Sequence, residues 1–199
     1  PLIRDPMMNH LYEQLTALKL TGFRDALKKQ LAQPGTYQEL GFEERLSLLT
    51  AEELTCRENR KAERLIKHAR FRLNAELSKL DYRNNRGLDR ALIRSLSQGN
   101  WLTLKQNILL TGATGSGKTF LACALGHNAC RQGYKVYYYR LKALMEQCYQ
   151  GHADGRYSKL LTRLNNSDLL LLDDWGLEPL SSEQRSDLLE IVDLMYQRG

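Results

Sequence analysis

Long apolar runs and paired cysteines are both missing from this chain of 199 residues. No apolar run approaches the roughly 20 residues that a membrane span needs. No charged-then-apolar signal opens the sequence, so we expect a cytoplasmic protein without a membrane partner. Cys56, Cys123, Cys130 and Cys148 form no CxxC pair and have no histidine cluster beside them. The sequence therefore indicates neither a disulfide framework nor a zinc site, and we expect these cysteines to be small buried side chains.

Proline and glycine are scarce in the first half of the chain, and none occurs between residues 42 and 79. Apolar residues at helical spacing predict a helical hairpin that is interrupted at Thr21-Gly22 and ends at Pro34-Gly35. The same spacing predicts one long helix, bent or straight, from residue 42 to about 79, and a further helix closed by Gly99. We therefore expect residues 1–100 to form an all-helical domain.

Strands and helices alternate in the second half. We predict strands over residues 107–111, 135–139 and 169–172, and a helix over residues 118–132. Ser181 and Gln184 have the spacing of a capping box, which predicts a further helix start. The pattern indicates an α/β domain with a parallel sheet over residues 101–199.

A glycine-rich motif, GATGSGKT at residues 112–119, matches the P-loop pattern G-x-x-x-x-G-K-[ST] at every fixed position. Its glycines let backbone amides approach phosphate oxygens, its lysine reaches the outer phosphates of ATP, and its final hydroxyl can contact Mg²⁺. The alternative is a glycine-rich turn without a ligand. The predicted cofactor-binding residues are Gly112, Ala113, Thr114, Gly115, Ser116, Gly117, Lys118, Thr119 and Phe120.

An acidic pair, Asp173 and Asp174, follows the run of four leucines at residues 169–172. A carboxylate at the end of such a strand can serve a Mg²⁺ ion, so we predict Thr119 and Asp173 as the metal residues. The next acid would orient the attacking water, which makes Asp174 the predicted catalytic residue. The alternative is a solvated strand end.

Positive charge is concentrated in the first half, where residues 1–106 hold 19 Lys and Arg against 13 Asp and Glu. Residues 107–199 hold 10 of each, so the net charge of +6 falls entirely in the first part. Residues 57–94 alone hold 12 basic and 5 acidic residues. A helix with such a face can follow the phosphates of duplex DNA, although a solvated helix face is the alternative. The predicted DNA-binding residues are Arg57, Arg60, Lys61, Arg64, Lys67, Arg70 and Arg72.

The P-loop segment GATGSGKTFLACALGHNACRQGYKVYYYR, together with LLTRLNNSDLLLLDDWG, resembles the IstB transposition helper ATPases of the AAA+ group. The N-terminal stretch LTALKLTGFRDALKKQL is also similar to the IstB type. The resemblance implies an ATP-dependent, DNA-binding factor that forms homo-oligomers on duplex DNA and recruits an IstA-type transposase. A replicative helicase loader and a non-catalytic DNA-binding remnant are the alternatives.

The resemblance carries two further expectations. Related initiators contact DNA through the segment after residue 139, which makes Lys142, Arg156, Lys159 and Arg163 secondary candidates. The family also continues past Gly199 into a sensor strand, an arginine finger and a lid, so we expect an incomplete sheet. We then expect the strand at 107–111 to be poorly paired or to pair with 169–172, and these residues alone to show negligible ATP hydrolysis.

Overall fold

The computed structural model describes residues 6–82 and 88–196. Contacts within the chain divide it into two compact units, Pro1–Lys61 and Ala62–Gly199. The domain boundary that we expect near residue 100 stays a prediction. Residues 83–87 of the basic run lie outside the described residues.

The first unit is helical. It holds α1 (Pro6–Ala17), α2 (Thr21–Ala32), the single turn α3 (Pro34–Tyr37) and the first part of α4 (Phe42–Ala69). The predicted hairpin is present, but the chain turns before Thr21 and not at it. Gly22 is buried where a Cβ would lie 2.7 Å from the Cβ of Cys56, so glycine allows α2 and α4 to approach closely.

A buried carboxylate joins two helices of this unit. Glu53 of α4 is 5% exposed; its Oε2 accepts a hydrogen bond of 3.1 Å from the backbone amide of Phe23, in the first turn of α2. Its Oε1 accepts a hydrogen bond of 2.7 Å from Arg57 Nε. Burial raises the pKa of Glu53, but the hydrogen bonds from Arg57 and from the α2 amides outweigh burial and hold that pKa below its ordinary value. Glu53 therefore supplies the cap that α2 lacks at its own N-terminus.

We expect Glu53→Ala to lower the free energy of unfolding by about 1.5–3 kcal/mol, because it removes hydrogen bonds to a buried charged group. Glu52→Ala, at the exposed neighbouring position, is the control. Since the folded pKa is depressed, this contribution is present above the unfolded pKa of about 4.3 and is lost as pH falls through the folded value. Urea denaturation at pH 7 and pH 3 measures both effects. A difference between wild type and variant that stays constant with pH would contradict the role of the carboxylate.

The second unit contains the sheet. Its elements are α5 (Arg90–Ser97), α6 (Asn100–Thr103), α7 (Lys118–Arg131), β1 (Val136–Arg140), α8 (Leu141–Asp154), α9 (Tyr157–Asn165), β2 (Leu169–Asp173) and α10 (Ser182–Tyr196), with a short 3₁₀ turn at Leu77–Lys79. Strands β1 and β2 pair in parallel, with Val136 opposite Leu169 and Arg140 opposite Asp173. The α/β class and the parallel pairing of these two predicted strands are confirmed.

The two faces of the sheet are covered by different helices. Val136 and Tyr138 lie in clusters that hold buried residues of α7, such as Cys130 and Cys123. Tyr137, between them, lies in a cluster built from α8, α9 and α10. This alternation follows from the period of two in a strand, and it makes a three-layer arrangement in which the sheet is central.

The cysteines behave as expected. Cys123, Cys130 and Cys148 are buried, Cys56 is half-buried, and all four are free thiols. Burial raises the pKa of Cys130 and of Cys148 to about 12, so these thiols stay protonated and unreactive.

One boundary prediction is wrong. The long helix ends at Ala69, about ten residues early, and Arg70, which follows it, adopts a left-handed conformation with φ of 57°. Gly155, with φ of 74°, ends α8 and separates it from α9, whereas Gly151 lies inside α8. The helix closed by Gly99, which has φ of 79°, and the capping box are confirmed; Ser181 and Gln184 exchange hydrogen bonds of 3.0 and 3.2 Å.

The predicted strand at 107–111 is not a strand. Ile108 and Leu110 pack against a buried cluster with Leu121 and Leu125, while Leu109 is 83% exposed. Among the described residues, no backbone hydrogen bond joins 107–111 to another segment. The segment therefore keeps the alternating burial of a strand but forms no ladder with any described residue. Of the two outcomes expected for it, poor pairing is found and pairing with β2 is not.

Candidate nucleotide site

The P-loop residues form a turn that leads directly into α7. Gly112, Gly115 and Gly117 have φ of 151°, 78° and 93°, conformations that favour glycine. Gly117 occupies the N-cap of α7 and supplies no side-chain cap. The first amides of a 14-residue helix are thus left for a ligand, and the helix dipole favours a negative one.

Lys118 is the first residue of α7, and its Nζ donates hydrogen bonds of 2.7 Å to the carbonyl oxygens of Gly112 and Ala113. The amine therefore lies across the loop, where a phosphate could take the place of the carbonyls. Thr114 and Ser116 are exposed, whereas the side chain of Phe120 packs against a buried cluster around Tyr138. Phe120 can thus contribute only its backbone amide.

The acidic pair begins with the last residue of β2. Oδ2 of Asp173 accepts hydrogen bonds of 2.8 Å from the Thr119 hydroxyl and 2.7 Å from the Tyr138 hydroxyl. Its Oδ1 accepts one of 2.9 Å from the backbone amide of Asp174. Burial raises the pKa of Asp173, but the hydrogen bonds and the nearby Arg72 outweigh burial and hold that pKa below its ordinary value. Asp173 is therefore an ionised carboxylate bound directly to the P-loop hydroxyl.

Asp174 has an unusual backbone conformation, with φ of 57°. Its Oδ2 accepts a hydrogen bond of 2.7 Å from Arg140 Nε and lies 3.7 Å from a guanidinium nitrogen of Arg72. Its side chain is 23% exposed, so the carboxylate lies at the edge of the site between two cations. These ion pairs fix an acid beside the P-loop and keep its charge compensated.

Arg70 and Arg72, predicted as part of the basic helix, lie beyond the end of α4. Between them, Phe71 packs its ring 4.4 Å from that of His127 and occupies the space that a Cβ on Gly126 would need. This packing fixes the segment against α7 and directs Arg72 towards Asp174.

A basic stripe remains on α4, formed by Arg57, Arg60, Lys61, Arg64 and Lys67, all exposed. At 100° per residue these positions fall within an arc of about 120°. Arg57 pairs with Glu53, and Arg60 donates a hydrogen bond of 2.5 Å to the Thr21 hydroxyl. In the described part of the chain, Lys61, Arg64 and Lys67 have no acidic partner within 4.0 Å. Glu58 and Glu63, on the same helix and within the described residues, form no ion pair with these three residues, so their positive charge is not neutralised within α4.

The secondary candidates for DNA contact form more ion pairs and hydrogen bonds within the protein. Lys142 pairs with Glu178 at 3.0 Å, Arg156 with Asp154, and Arg163 donates to the hydroxyl of Tyr139 at 2.6 Å. Carboxylates therefore compensate two of these four basic groups, whereas Arg57 alone of the five stripe residues has an acidic partner among the described residues, so the basic stripe presents more uncompensated charge.

Sequence reasoning missed two residues of the site, Tyr138 and Arg140. They occupy alternate positions of β1 and bind Asp173 and Asp174 respectively. A polar residue at every second position of a strand that neighbours an acidic strand end is the signal that could have found them.

A glycine-rich loop that opens a helix, beside an acidic strand end bonded to the loop hydroxyl, in an α/β fold, defines a P-loop nucleotide-binding protein. Comparison with known families agrees. The profile described as "IstB-like ATP binding protein" matches residues 13–199, and the chain belongs to this family.

Named proteins of insertion sequences are similar to the chain. The ATP-binding protein named for insertion sequence IS1162 of Pseudomonas fluorescens is 46% identical over 188 residues, covering 94% of this chain and 81% of that protein. An insertion sequence ATP-binding protein of Sinorhizobium fredii is 41% identical over 186 residues, or 94% and 76% of the two chains. One from Mycobacterium tuberculosis is 30% identical over 190 residues, or 96% and 74%. Within residues 6–82 and 88–196, no helix has the length and apolarity to cross a membrane.

Proposed function

We propose that the chain is an ATP-dependent, DNA-binding helper of insertion-sequence transposition. The observation that carries the nucleotide part is the 2.8 Å hydrogen bond from Thr119 to Asp173, which joins the P-loop to the acidic pair. The family and the names of the relatives support the insertion-sequence context.

In this proposal the loop amides and Lys118 bind the phosphates of ATP. The oxygen donors of Thr119 and Asp173 fit Mg²⁺, which prefers a hydroxyl, a carboxylate and phosphate oxygens. When bound, Mg²⁺ neutralises charge that develops on the phosphates. Asp174 holds and orients the attacking water and accepts its proton, and Arg140 and Arg72 position that carboxylate.

The DNA part rests on the basic stripe. Lys61, Arg64 and Lys67 are exposed along one helix face without acidic partners among the described residues, as phosphate contacts require. Such contacts are independent of base sequence, so the expected ligand is duplex DNA read through its backbone. Assembly into homo-oligomers on DNA, recruitment of an IstA-type transposase and a cytoplasmic location complete the proposal.

Filter binding of labelled ATP, with and without Mg²⁺ and duplex DNA, tests the proposal. We expect ATP to be retained with Mg²⁺, and labelled duplex to be retained by the same protein. Failure to retain either ligand would overturn the corresponding half. A pull-down with the chain as bait should recover a transposase; recovery of a hexameric helicase instead would favour a helicase loader.

Asp174→Asn should leave ATP affinity within about twofold and lower any ATP hydrolysis by roughly 10²–10⁴-fold, the usual contribution of a general base. Asparagine tolerates the left-handed backbone that Asp174 adopts, and its amide oxygen can still accept from Arg140, so the fold should persist. Asp168→Asn, which changes an acid preceding β2, is the control. Comparison of ATP binding with the steady-state rate separates the two effects. Loss of ATP binding in Asp174→Asn would assign this residue a structural role instead.

A further inference from the structure

Tyr138 lies on β1, the strand that pairs with β2, and hydrogen-bonds the carboxylate of Asp173 at the end of β2. Its hydroxyl donates to Oδ2 at 2.7 Å, and its residue is 8% exposed. Tyr138 faces Leu171 in the parallel register, two positions before the pair Arg140 and Asp173. The side chain therefore reaches along the strand to the acid.

The ring of Tyr138 is fixed by packing. It lies in a cluster with the buried residues Cys123 and Ala124 of α7, and its centroid is 6.4 Å from that of Phe71. A ring held on these sides leaves its hydroxyl little freedom, so the direction of the hydrogen bond to Asp173 is set by the core.

The two carboxylate oxygens of Asp173 have different hydrogen-bond partners. Oδ2 accepts from both Thr119 and Tyr138, which uses its two lone pairs. Among the described residues, Oδ1 accepts only from the amide of Asp174 and retains a lone pair. Of the two hydroxyl donors, only Tyr138 lies outside the P-loop, so its bond does not depend on how the loop adapts to a nucleotide.

We propose that Tyr138 is a positioning residue for Mg²⁺ binding, an inference that rests on the proposed function. Its hydroxyl fixes the Asp173 carboxylate so that Oδ1 is left to bind the ion or a water of the ion. Tyr138 does not touch the nucleotide in this arrangement. Its contribution is therefore confined to the metal-dependent part of ATP binding.

Tyr138→Phe tests this role, because it removes one oxygen and keeps the ring in its cluster. The probe is a fluorescent, non-hydrolysable ATP analogue, titrated with Mg²⁺ and, separately, bound in excess EDTA. We expect the Mg²⁺ concentration at half-saturation to rise about three- to tenfold, the usual effect of one lost hydrogen bond, with analogue affinity in EDTA unchanged. Circular dichroism and the thermal midpoint check the fold.

Tyr139→Phe is the matched control. It removes a hydroxyl from the next residue of the same strand, on the opposite face, where it contacts Gln147 and Arg163. We expect its Mg²⁺ titration to match wild type. If Tyr138→Phe destroys the fold, further variants extend the series. Thr119→Val removes the other hydroxyl that donates to Asp173. Tyr138→Trp keeps an aromatic ring with a donor group and Tyr138→Leu keeps neither, so a Mg²⁺ midpoint for Tyr138→Trp closer to wild type than that of Tyr138→Leu would support positioning.

Three outcomes decide the matter. An unchanged Mg²⁺ midpoint in Tyr138→Phe, beside normal wild-type binding, would overturn the positioning role alone. Equal weakening with Mg²⁺ and in EDTA would also overturn it, because a structural defect acts on both. A wild-type chain that binds no analogue under either condition would overturn the proposed nucleotide function, and the positioning role with it.

Discussion

Lys118→Ala should lower ATP affinity by on the order of a hundredfold or more, because it removes the one charged group of the P-loop. Charge-assisted hydrogen bonds contribute about 1.5–3 kcal/mol each, and two such bonds to phosphate oxygens account for a loss of this size. The amine bonds to the exposed carbonyls of Gly112 and Ala113, which water can satisfy once the amine is removed. Alanine is also a good helix former, so α7 should persist.

Isothermal titration with ATP and Mg²⁺ measures the effect. Lys159→Ala, which removes an exposed lysine of α9, is the charge-matched control and should bind ATP as wild type does. An unfolding midpoint close to that of wild type would show that Lys118→Ala is folded. Equal ATP affinity in wild type and Lys118→Ala would remove the basis for a phosphate site at this loop.

Local patterns predicted those elements that are stabilised by their own sequence. The capping box at Ser181, the left-handed Gly99 and the two paired strands are each encoded within a few residues. The end of α4 is not encoded in this way, since no proline or glycine lies near Ala69. That helix stops because Phe71 packs against Gly126 and His127, more than fifty positions along the chain, and periodicity cannot anticipate such a contact.

The candidate site likewise contains residues that local patterns predicted and residues that they did not. Spacing alone indicated the P-loop and the acidic pair, and the structure places Thr119 and Asp173 within hydrogen-bonding distance. Tyr138 and Arg140 were missed because their roles depend on the register of β1 against β2, which only tertiary pairing sets. Arg72 lies off the predicted helix for a related reason: once α4 ends at Ala69, the following residues no longer share its face, and Arg72 lies beside Asp174.

Replacing Arg60, Lys61, Arg64 and Lys67 with glutamine should weaken binding to duplex DNA about equally for all sequences. Each phosphate contact releases counterions and contributes about 0.9 to the slope of log affinity against log salt concentration, so the slope should flatten by up to about four. At low salt the affinity should fall by several orders of magnitude. The residues lie on one face of α4 and are exposed, so the substitutions remove charge without opening the core.

A triple variant and a rival set make the result specific. The triple variant at Lys61, Arg64 and Lys67 keeps the hydrogen bond of Arg60 to Thr21, and it should flatten the slope by up to about three without loss of stability. The rival set replaces Lys142, Arg156, Lys159 and Arg163, which carry the same total charge as the four α4 residues, but Lys142 and Arg156 are paired with carboxylates of the second unit. Because paired cations release fewer counterions on binding, this set should change the slope less. Fluorescence anisotropy with a labelled duplex between 50 and 200 mM salt distinguishes the two surfaces within the range where such binding changes most. A slope that is unchanged in the α4 variants and flattened in the rival set would move the DNA contact from the basic stripe to α8 and α9.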